Sequence, residues 1–140
     1  METLVKVLKH HNCKITPQRL AVYNILKESK EHPNAESIYN MLVPTYPTIS
    51  LATVYKSLEL FVDLGLISVI NVGENSFRYD CRASDHAHVV CSKCYRVEDL
   101  DDQFFHTLPQ KVESLVDYTI SKQQLCFYGL CPNCRDSQEH

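Results

Sequence analysis

Two short cysteine motifs constrain the fold of this chain more than any other feature of its sequence. The pairs are CSKC at residues 91–94 and CPNC at residues 131–134, far apart along the chain. Each Cys-x-x-Cys turn presents two sulfurs at a separation that the backbone can hold around one tetrahedral ion. Four thiolates leave no open coordination position, so the motifs predict a structural Zn(II) site that ties the C-terminal residues to the middle of the chain. The predicted ligands are Cys91, Cys94, Cys131 and Cys134.

A redox-active dithiol is the competing interpretation of a Cys-x-x-Cys pair. A thioredoxin-like motif needs one such pair that follows a strand and opens a helix, whereas this chain has two pairs. The sequence has no apolar run that approaches the length of a membrane span, and its N-terminal residues lack the apolar core of a signal peptide. We therefore expect a cytoplasmic protein with no membrane partner, in which thiols stay reduced and paired cysteines bind metal.

Hydrophobic periodicity divides the chain into two parts. Up to about residue 64 the apolar residues recur at helical spacing, with N-cap signals at Thr16 and Ser50. The period then changes to two, which predicts strands at residues 66–72 and 76–80 around a Gly-Glu-Asn turn. Helices followed by a two-stranded hairpin are the order of a winged helix-turn-helix domain, although many small helical domains begin in the same way.

A winged helix would place the helix that begins after Ser50 in the major groove of DNA. Its outward residues are hydrogen-bonding or phosphate-pairing types, and three further cations lie at the second helix and on the wing strand. The predicted DNA contacts are Lys14, Arg19, Ser50, Thr53, Tyr55, Lys56 and Arg78. An ordinary solvated face explains the same residues, and the net charge of −3 gives nucleic-acid binding no global support.

A second candidate metal site lies around the segment SDHAH at residues 84–88. His86 and His88 are two positions apart, so both imidazoles point to the same side of an extended segment. Further nitrogen and oxygen donors come from His32, Asp80, Asp85 and Asp99. Imidazole with carboxylate and no thiolate suits Fe(II), Mn(II) or Zn(II). A His-x-His pair taken alone is more often a surface feature of a strand.

Seven stretches of the sequence form a longer joined pattern: ITPQR, HPNAESIY, ISLATVYKSLELF, RYD, SDHAH, CSKC and YGLCPNC. In this order they resemble the motifs of the ferric uptake regulator family, over roughly residues 8–134. The resemblance implies an α+β fold, with an N-terminal winged helix-turn-helix DNA-binding domain over residues 1–81 and a C-terminal α/β dimerisation domain over residues 82–140. It also implies a hinge near residues 80–85 and a homodimeric repressor of double-stranded operator DNA that depends on a regulatory metal.

Carried over position by position, the resemblance also implies a regulatory Fe(II) or Mn(II) site. Its ligands would be His32, Asp80, His86, His88 and Asp99. The first two belong to the DNA-binding domain and the other three to the dimerisation domain. Bound metal would thus clamp the two domains in one orientation and hold the recognition helices of the dimer at the spacing of a palindromic operator.

Position 99 bears on the branch of the family. An aspartate five residues after Cys94 resembles the peroxide-sensing branch, whereas a glutamate there would resemble the iron-responsive branch. Glu98 is adjacent, but on a strand it faces the opposite side from Asp99. Ala87 and Gln123 stand where iron-responsive members carry a carboxylate and a histidine, which also favours a peroxide sensor.

The resemblance to the peroxide-sensing branch implies a mechanism. Fe(II) would react with hydrogen peroxide, and the resulting oxidant would attack the imidazole of His32 or His86. An oxidised ring is a poorer ligand, so the clamp would open and repression would end. Mn(II) would give a repressor that does not respond to peroxide. The alternative is an iron-, zinc- or manganese-responsive repressor of the same family.

A metal-dependent enzyme is the other class of function to be weighed, either a mononuclear Fe or Zn hydrolase or a zinc deaminase. The deaminase signature pairs His-x-Glu with a proline that precedes the cysteine pair, but Pro132 lies inside the knuckle and the sequence has no His-x-Glu. No nucleophile–base–orienter set or phosphate-cradling glycine loop is found in the sequence either. We therefore expect no enzyme.

The remaining cysteines and the acidic run have simpler expected roles. Cys13, Cys81 and Cys126 are expected to pack as small apolar residues, with Cys81 beside Asp80 as a candidate secondary thiol sensor. The run EDLDD at residues 98–102 is expected to be a solvated loop apart from Asp99.

Overall fold

The computed structural model describes residues 2–73, 76–81 and 87–137 of the 140-residue chain. The chain divides into two compact units, residues 1–83 and residues 84–140. The predicted domain boundary after residue 81 adjoins the undescribed segment 82–86 and stays a prediction. Within the described residues, no helix combines the length and the apolar character that crossing a membrane requires.

The N-terminal unit consists of four helices followed by a hairpin. The elements are α1 Glu2–His10, α2 Pro17–Glu28, α3 Ala35–Leu42, α4 Leu51–Asp63, β1 Ser68–Gly73 and β2 Ser76–Asp80. β1 and β2 pair antiparallel. The predicted helices and wing are confirmed, with the first strand beginning at Ser68 rather than at residue 66.

Local sequence explains where these helices begin and end. Three of them start at a side chain that accepts a hydrogen bond from the backbone N–H three residues further on, as N-cap residues do. These caps are Thr16, Asn34 and Ser50. Pro17 fills the first helical position of α2, where its missing N–H costs nothing. The chain leaves α4 through Gly65, whose φ of 73° lies in the left-handed region that favours glycine.

The core of the N-terminal unit determines which face of α4 remains outside. Val54, Leu58 and Phe61 are fully buried and recur three or four positions apart, so they form one stripe against the other helices. Thr53 and Lys56 lie on the opposite, exposed face. The helix expected to read DNA therefore presents polar side chains to solvent.

The C-terminal unit is built around a three-stranded sheet with the strand order β4-β3-β5. Its elements are β3 Ala87–Cys91, β4 Val97–Leu100, α5 Gln103–Glu113, β5 Cys126–Gly129 and α6 Pro132–Ser137. β3 pairs antiparallel with β4 and parallel with β5. The unit is α/β, as expected.

The prediction that EDLDD is a solvated loop is wrong. Its first three residues belong to β4, because their backbone pairs with β3. Asp102 caps α5 by accepting a hydrogen bond from the N–H of Phe104 at 2.9 Å. The acidic composition reflects exposed side chains on an edge strand, whereas the backbone is ordered by the ladder.

Candidate metal centres

The four cysteines of the two knuckles lie together in the C-terminal unit. Their sulfur atoms are all within 4.8 Å of one another. Cys91 ends β3, and Cys131 immediately precedes α6. Parallel pairing of β3 with β5 brings the two knuckles side by side, and the N–H of Ser92 continues this pairing by donating to the carbonyl of Gly129 at 2.7 Å.

Backbone amides and neighbouring sulfurs shift the thiol pKa values of this cluster in opposite directions. The N–H groups of Cys131 and Cys94 each donate to Cys91 Sγ at 3.5 Å, and these bonds lower the pKa of the Cys91 thiol to about 5. The hydrogen bond with the Cys131 sulfur, followed by burial, raises the pKa of Cys134 to about 12. Cys134 thus keeps its proton as a hydrogen-bond donor to the neighbouring sulfur until a cation is present. Four sulfurs on two tight turns, with backbone N–H groups that donate to Cys91, form a site that fits Zn(II).

A buried histidine–aspartate pair lies in the N-terminal unit. His32 is in the loop between α2 and α3, and Asp80 ends β2. His32 Nε2 lies 3.5 Å from Asp80 Oδ2. The two residues are only 8% and 7% exposed. The backbone of His32 has a φ of 52°, a conformation that residues other than glycine seldom adopt.

Two neighbouring residues of β2 hold the same loop. Arg78 donates from Nε to the carbonyl of His32 and from Nη2 to the carbonyl of Glu31. The N–H of Tyr79 donates to the carbonyl of Pro33 at 3.0 Å. Burial lowers the pKa of the Arg78 guanidinium, which is expected from the sequence to contact a phosphate. The two carbonyl partners of Arg78 were missed, because they lie more than 40 residues away in the sequence.

A second histidine–aspartate pair lies in the C-terminal unit. His88 and Asp99 are directly opposite in the β3–β4 ladder, and His88 Nε2 lies 3.2 Å from Asp99 Oδ1. His88 is buried, and the side chain of Asp99 is 27% exposed. Glu98 instead has its carboxylate 3.3 Å from Arg96 Nη2. Strand alternation thus brings the aspartate, and not the adjacent glutamate, to the histidine.

The other residues expected near this pair have separate positions. His86 lies outside the described residues. Ala87 is fully buried. Gln123 donates from Nε2 to the carbonyl of Phe105 at 2.7 Å, so its amide supports α5. Each described pair therefore supplies one imidazole and one carboxylate, a donor set that fits Fe(II), Mn(II) or Zn(II).

The remaining cysteines are half-buried. Cys13 and Cys81 pack against the core of the N-terminal unit, and Cys126 lies at the start of β5. The expectation that the first two pack as small apolar side chains agrees with these contacts.

The residues expected to contact DNA lie on three parts of the N-terminal unit, around α4, at the start of α2 and, in the case of Arg78, on β2. Around α4, Ser50 Oγ accepts a hydrogen bond from the N–H of Thr53 at 3.1 Å, and Lys56 is exposed. At the start of α2, the guanidinium of Arg19 donates from Nη1 to the backbone carbonyl of Lys14 at 2.6 Å, which holds the Arg19 side chain beside the residues that precede the helix.

Tyr55, which is expected to contact DNA, also has a partner within the protein. Its hydroxyl donates to Glu36 Oε1, on α3, at 3.0 Å. Burial, and then the hydrogen bond to Glu36, raises the pKa of Tyr55. The residues are far apart in the sequence, so only the packing of α3 against α4 could reveal the pair.

Comparison with known proteins gives a consistent result. The model of the ferric uptake regulator family matches residues 10–128. The peroxide-responsive repressors PerR of Staphylococcus saprophyticus and Staphylococcus aureus are 33% and 31% identical over 136 residues, which cover 97% of this chain and 92% of each relative.

Solved structures extend the comparison to the fold. A Campylobacter jejuni peroxide stress regulator is 40% identical, with a TM-score of 0.75 over 94% of this chain and 98% of that one. The Helicobacter pylori ferric uptake regulator Fur has a TM-score of 0.81 at 22% identity, over 96% and 90% of the two chains, and supports the fold alone. The expected α+β fold class is confirmed. The chain belongs to the ferric uptake regulator family.

Proposed function

We propose that this protein is a metal-dependent transcriptional repressor that responds to peroxide and binds double-stranded operator DNA as a homodimer in the cytoplasm. The observation that carries the proposal is the division of imidazole–carboxylate pairs between the two units, with His32 and Asp80 in one and His88 and Asp99 in the other. Relatives named peroxide-responsive repressors, at 31–33% identity over most of the chain, support peroxide as the signal.

The two kinds of site have different proposed ions. The cysteine cluster holds structural Zn(II), because its four soft donors leave no position for a substrate or signal. The two pairs, with His86 as a further ligand, hold the regulatory Fe(II) or Mn(II). The carboxylates of Asp80 and Asp99 balance the charge of the divalent ion, and the imidazoles complete a borderline donor set.

The regulatory mechanism follows from what these side chains do. When both pairs bind one ion, the DNA-binding unit would have one orientation relative to the dimerisation unit, so the entropic cost of orienting α4 would be offset before DNA binds. Fe(II) held there would activate hydrogen peroxide, so that one peroxide oxygen would add to the imidazole of His32 or His86 and the other would leave as water. His32 or His86 with an oxidised ring is a weaker donor, so the pairs separate and the operator is released.

A second copy of the chain is the proposed partner of the C-terminal unit. In the described sheet β5 is an edge strand. Apolar side chains are exposed beside it and after α5, with Leu115 79% and Tyr118 73% exposed. The other strongly exposed apolar side chains of this unit include Phe104, Val116, Phe127 and Tyr128. An exposed apolar surface of this kind suits a dimer interface.

Gel shifts on a palindromic A·T-rich operator test the proposal. We expect retardation with Fe(II) or Mn(II) and none with chelator, and we expect peroxide to abolish it for the Fe(II) form alone. Peptide mass mapping should then show a gain of about one oxygen atom on peptides that contain His32 or His86. Unmodified peptides with iron-dependent retardation would instead indicate an iron-responsive repressor. Failure to retard DNA with any metal would favour a metal-dependent enzyme.

A further inference from the structure

We propose that Arg78 is a positioning residue for His32, and that it supports the regulatory metal site instead of contacting a DNA phosphate. This inference rests on the proposed function and adds to it a residue that holds a metal ligand through its backbone. The wing strand β2 carries three successive residues, Arg78, Tyr79 and Asp80, and each of them binds the loop or the side chain of His32.

Strand geometry explains how β2 can make all three contacts. Residues 78 and 80 share one face of the strand, so the Arg78 guanidinium and the Asp80 carboxylate both reach toward the loop that carries His32. The side chain of Tyr79 points the other way and is buried, while its N–H binds the carbonyl of Pro33 at 3.0 Å. Both the backbone and the imidazole of His32 are therefore positioned from the same strand.

The loop needs such support because of its backbone conformation. His32 has a φ of 52°, and a non-glycine residue persists in this region when its surroundings determine the conformation. The ends of the loop are fixed locally, by Ser29 Oγ accepting from the N–H of Glu31 and by Asn34 capping α3. Its middle is held by Arg78, whose two donors bind the successive carbonyls of Glu31 and His32.

The chemistry of arginine suits this role. The guanidinium is planar and presents its N–H groups as a rigid fork, so one side chain can bind two neighbouring carbonyl oxygens. Burial lowers the pKa of Arg78 and the nearby Glu31 carboxylate raises it, but a guanidinium remains charged in either case. Charge-assisted hydrogen bonds to two carbonyls oppose the release of Arg78 toward a phosphate.

The test compares Arg78→Lys with the wild-type, zinc-loaded dimer. Lysine keeps the positive charge that a phosphate contact needs but loses the fork. We expect the Mn(II) affinity, measured by competition with a metal indicator dye, to fall by about 10- to 100-fold, as is typical when an outer-shell partner is lost. At saturating Mn(II) we expect operator affinity within about twofold of wild type, because the charge and the recognition helix are unchanged.

Matched measurements separate positioning from general destabilisation. Zinc content and the thermal unfolding midpoint of Arg78→Lys should match those of the wild type, and excess Mn(II) should restore operator binding. Lys56→Gln is the matched control, because Lys56 is an exposed cation on α4. It should lower operator affinity at saturating Mn(II), reduce the slope of log affinity against log salt by about one, and leave Mn(II) affinity unchanged.

Three results would overturn the inference. Arg78→Lys with wild-type Mn(II) affinity but a weaker, less salt-dependent operator complex would make Arg78 a phosphate contact. Wild-type values for both affinities would leave the guanidinium fork with no regulatory role. A wild-type protein that binds no Mn(II) would overturn the proposed function itself, and the role of Arg78 with it.

Discussion

The cysteine cluster and the proposed regulatory site differ in how many of their ligands one unit supplies. All four sulfurs come from residues 84–140, and backbone amides of the same unit already donate to Cys91. The imidazole–carboxylate pairs are divided, one pair to each unit. A site complete within one unit binds its ion whenever that unit is folded. A divided site must also offset the entropy of fixing two units, so its occupancy responds to metal and to ligand damage.

The largest expected effect comes from breaking the complete site. Cys91→Ser removes the sulfur to which two amides donate, and we expect loss of the structural zinc, a disordered C-terminal unit and loss of the dimer, because binding of such an ion is coupled to folding. Elemental analysis measures the bound zinc, and size-exclusion chromatography measures the dimer. Cys126→Ser changes a cysteine outside the cluster and should keep zinc and dimer. A Cys91→Ser protein with its zinc intact would rule out the four-sulfur site.

The affinity of the proposed regulatory site for Mn(II) should depend on the carboxylate of Asp99 and not on that of its neighbour Glu98. Asp99→Asn removes the carboxylate 3.2 Å from His88 Nε2, and we expect Mn(II) affinity to fall by more than the roughly 10- to 100-fold typical of an outer-shell change, with zinc unchanged. Glu98→Gln is the matched control, since that side chain contacts Arg96 instead. Dye competition and gel shifts measure the difference. An equal loss of Mn(II) affinity in both variants would mean that the two faces of β4 do not differ in metal binding.

The pH dependence of zinc binding should reveal how the cluster is preorganised. Cys91, with a pKa of about 5, is already a thiolate at neutral pH, whereas Cys134, with a pKa of about 12, must lose a proton when zinc binds. Between about pH 6 and 8, the proton on Cys134 should therefore by itself weaken zinc binding by about tenfold for each unit that the pH falls. Cys91 should make no contribution to this pH dependence. Competition with a chelator of known pH dependence measures this slope. An affinity independent of pH would contradict it.

What the sequence could predict depends on whether the interaction is local. Caps such as Thr16 and Ser50 and the two cysteine knuckles depend on residues a few positions apart, and each appears in the structure as expected. The partners of Arg78 depend on pairing between β2 and a loop more than 40 residues away, and they were missed. EDLDD was misread for a related reason, because its strand is ordered by pairing with β3, and composition carries no signal of that pairing.

The smallest expected effect lies outside both metal sites, at the bond between Tyr55 and Glu36. Because the phenol donates its proton to the carboxylate, its oxygen presents lone pairs to DNA and suits an amino group on adenine or cytosine. Glu36→Gln replaces a charge-assisted bond with a neutral one, and we expect operator affinity at saturating Mn(II) to fall by about 1 kcal/mol, or about fivefold. Mn(II) affinity and zinc content should not change.

A double-mutant cycle with Tyr55→Phe isolates this interaction. If Glu36 acts through the Tyr55 hydroxyl, Glu36→Gln should have little further effect on operator affinity in the Tyr55→Phe background. Fully additive losses would mean that the Glu36 carboxylate makes a separate favourable contact with DNA, and a gain in affinity in Glu36→Gln would mean that the carboxylate repels the phosphates. A change in Mn(II) affinity in either single variant would be more informative. It would mean that the bond between Tyr55 and Glu36 affects metal binding as well as DNA binding, so that the regulatory site extends to the recognition helix.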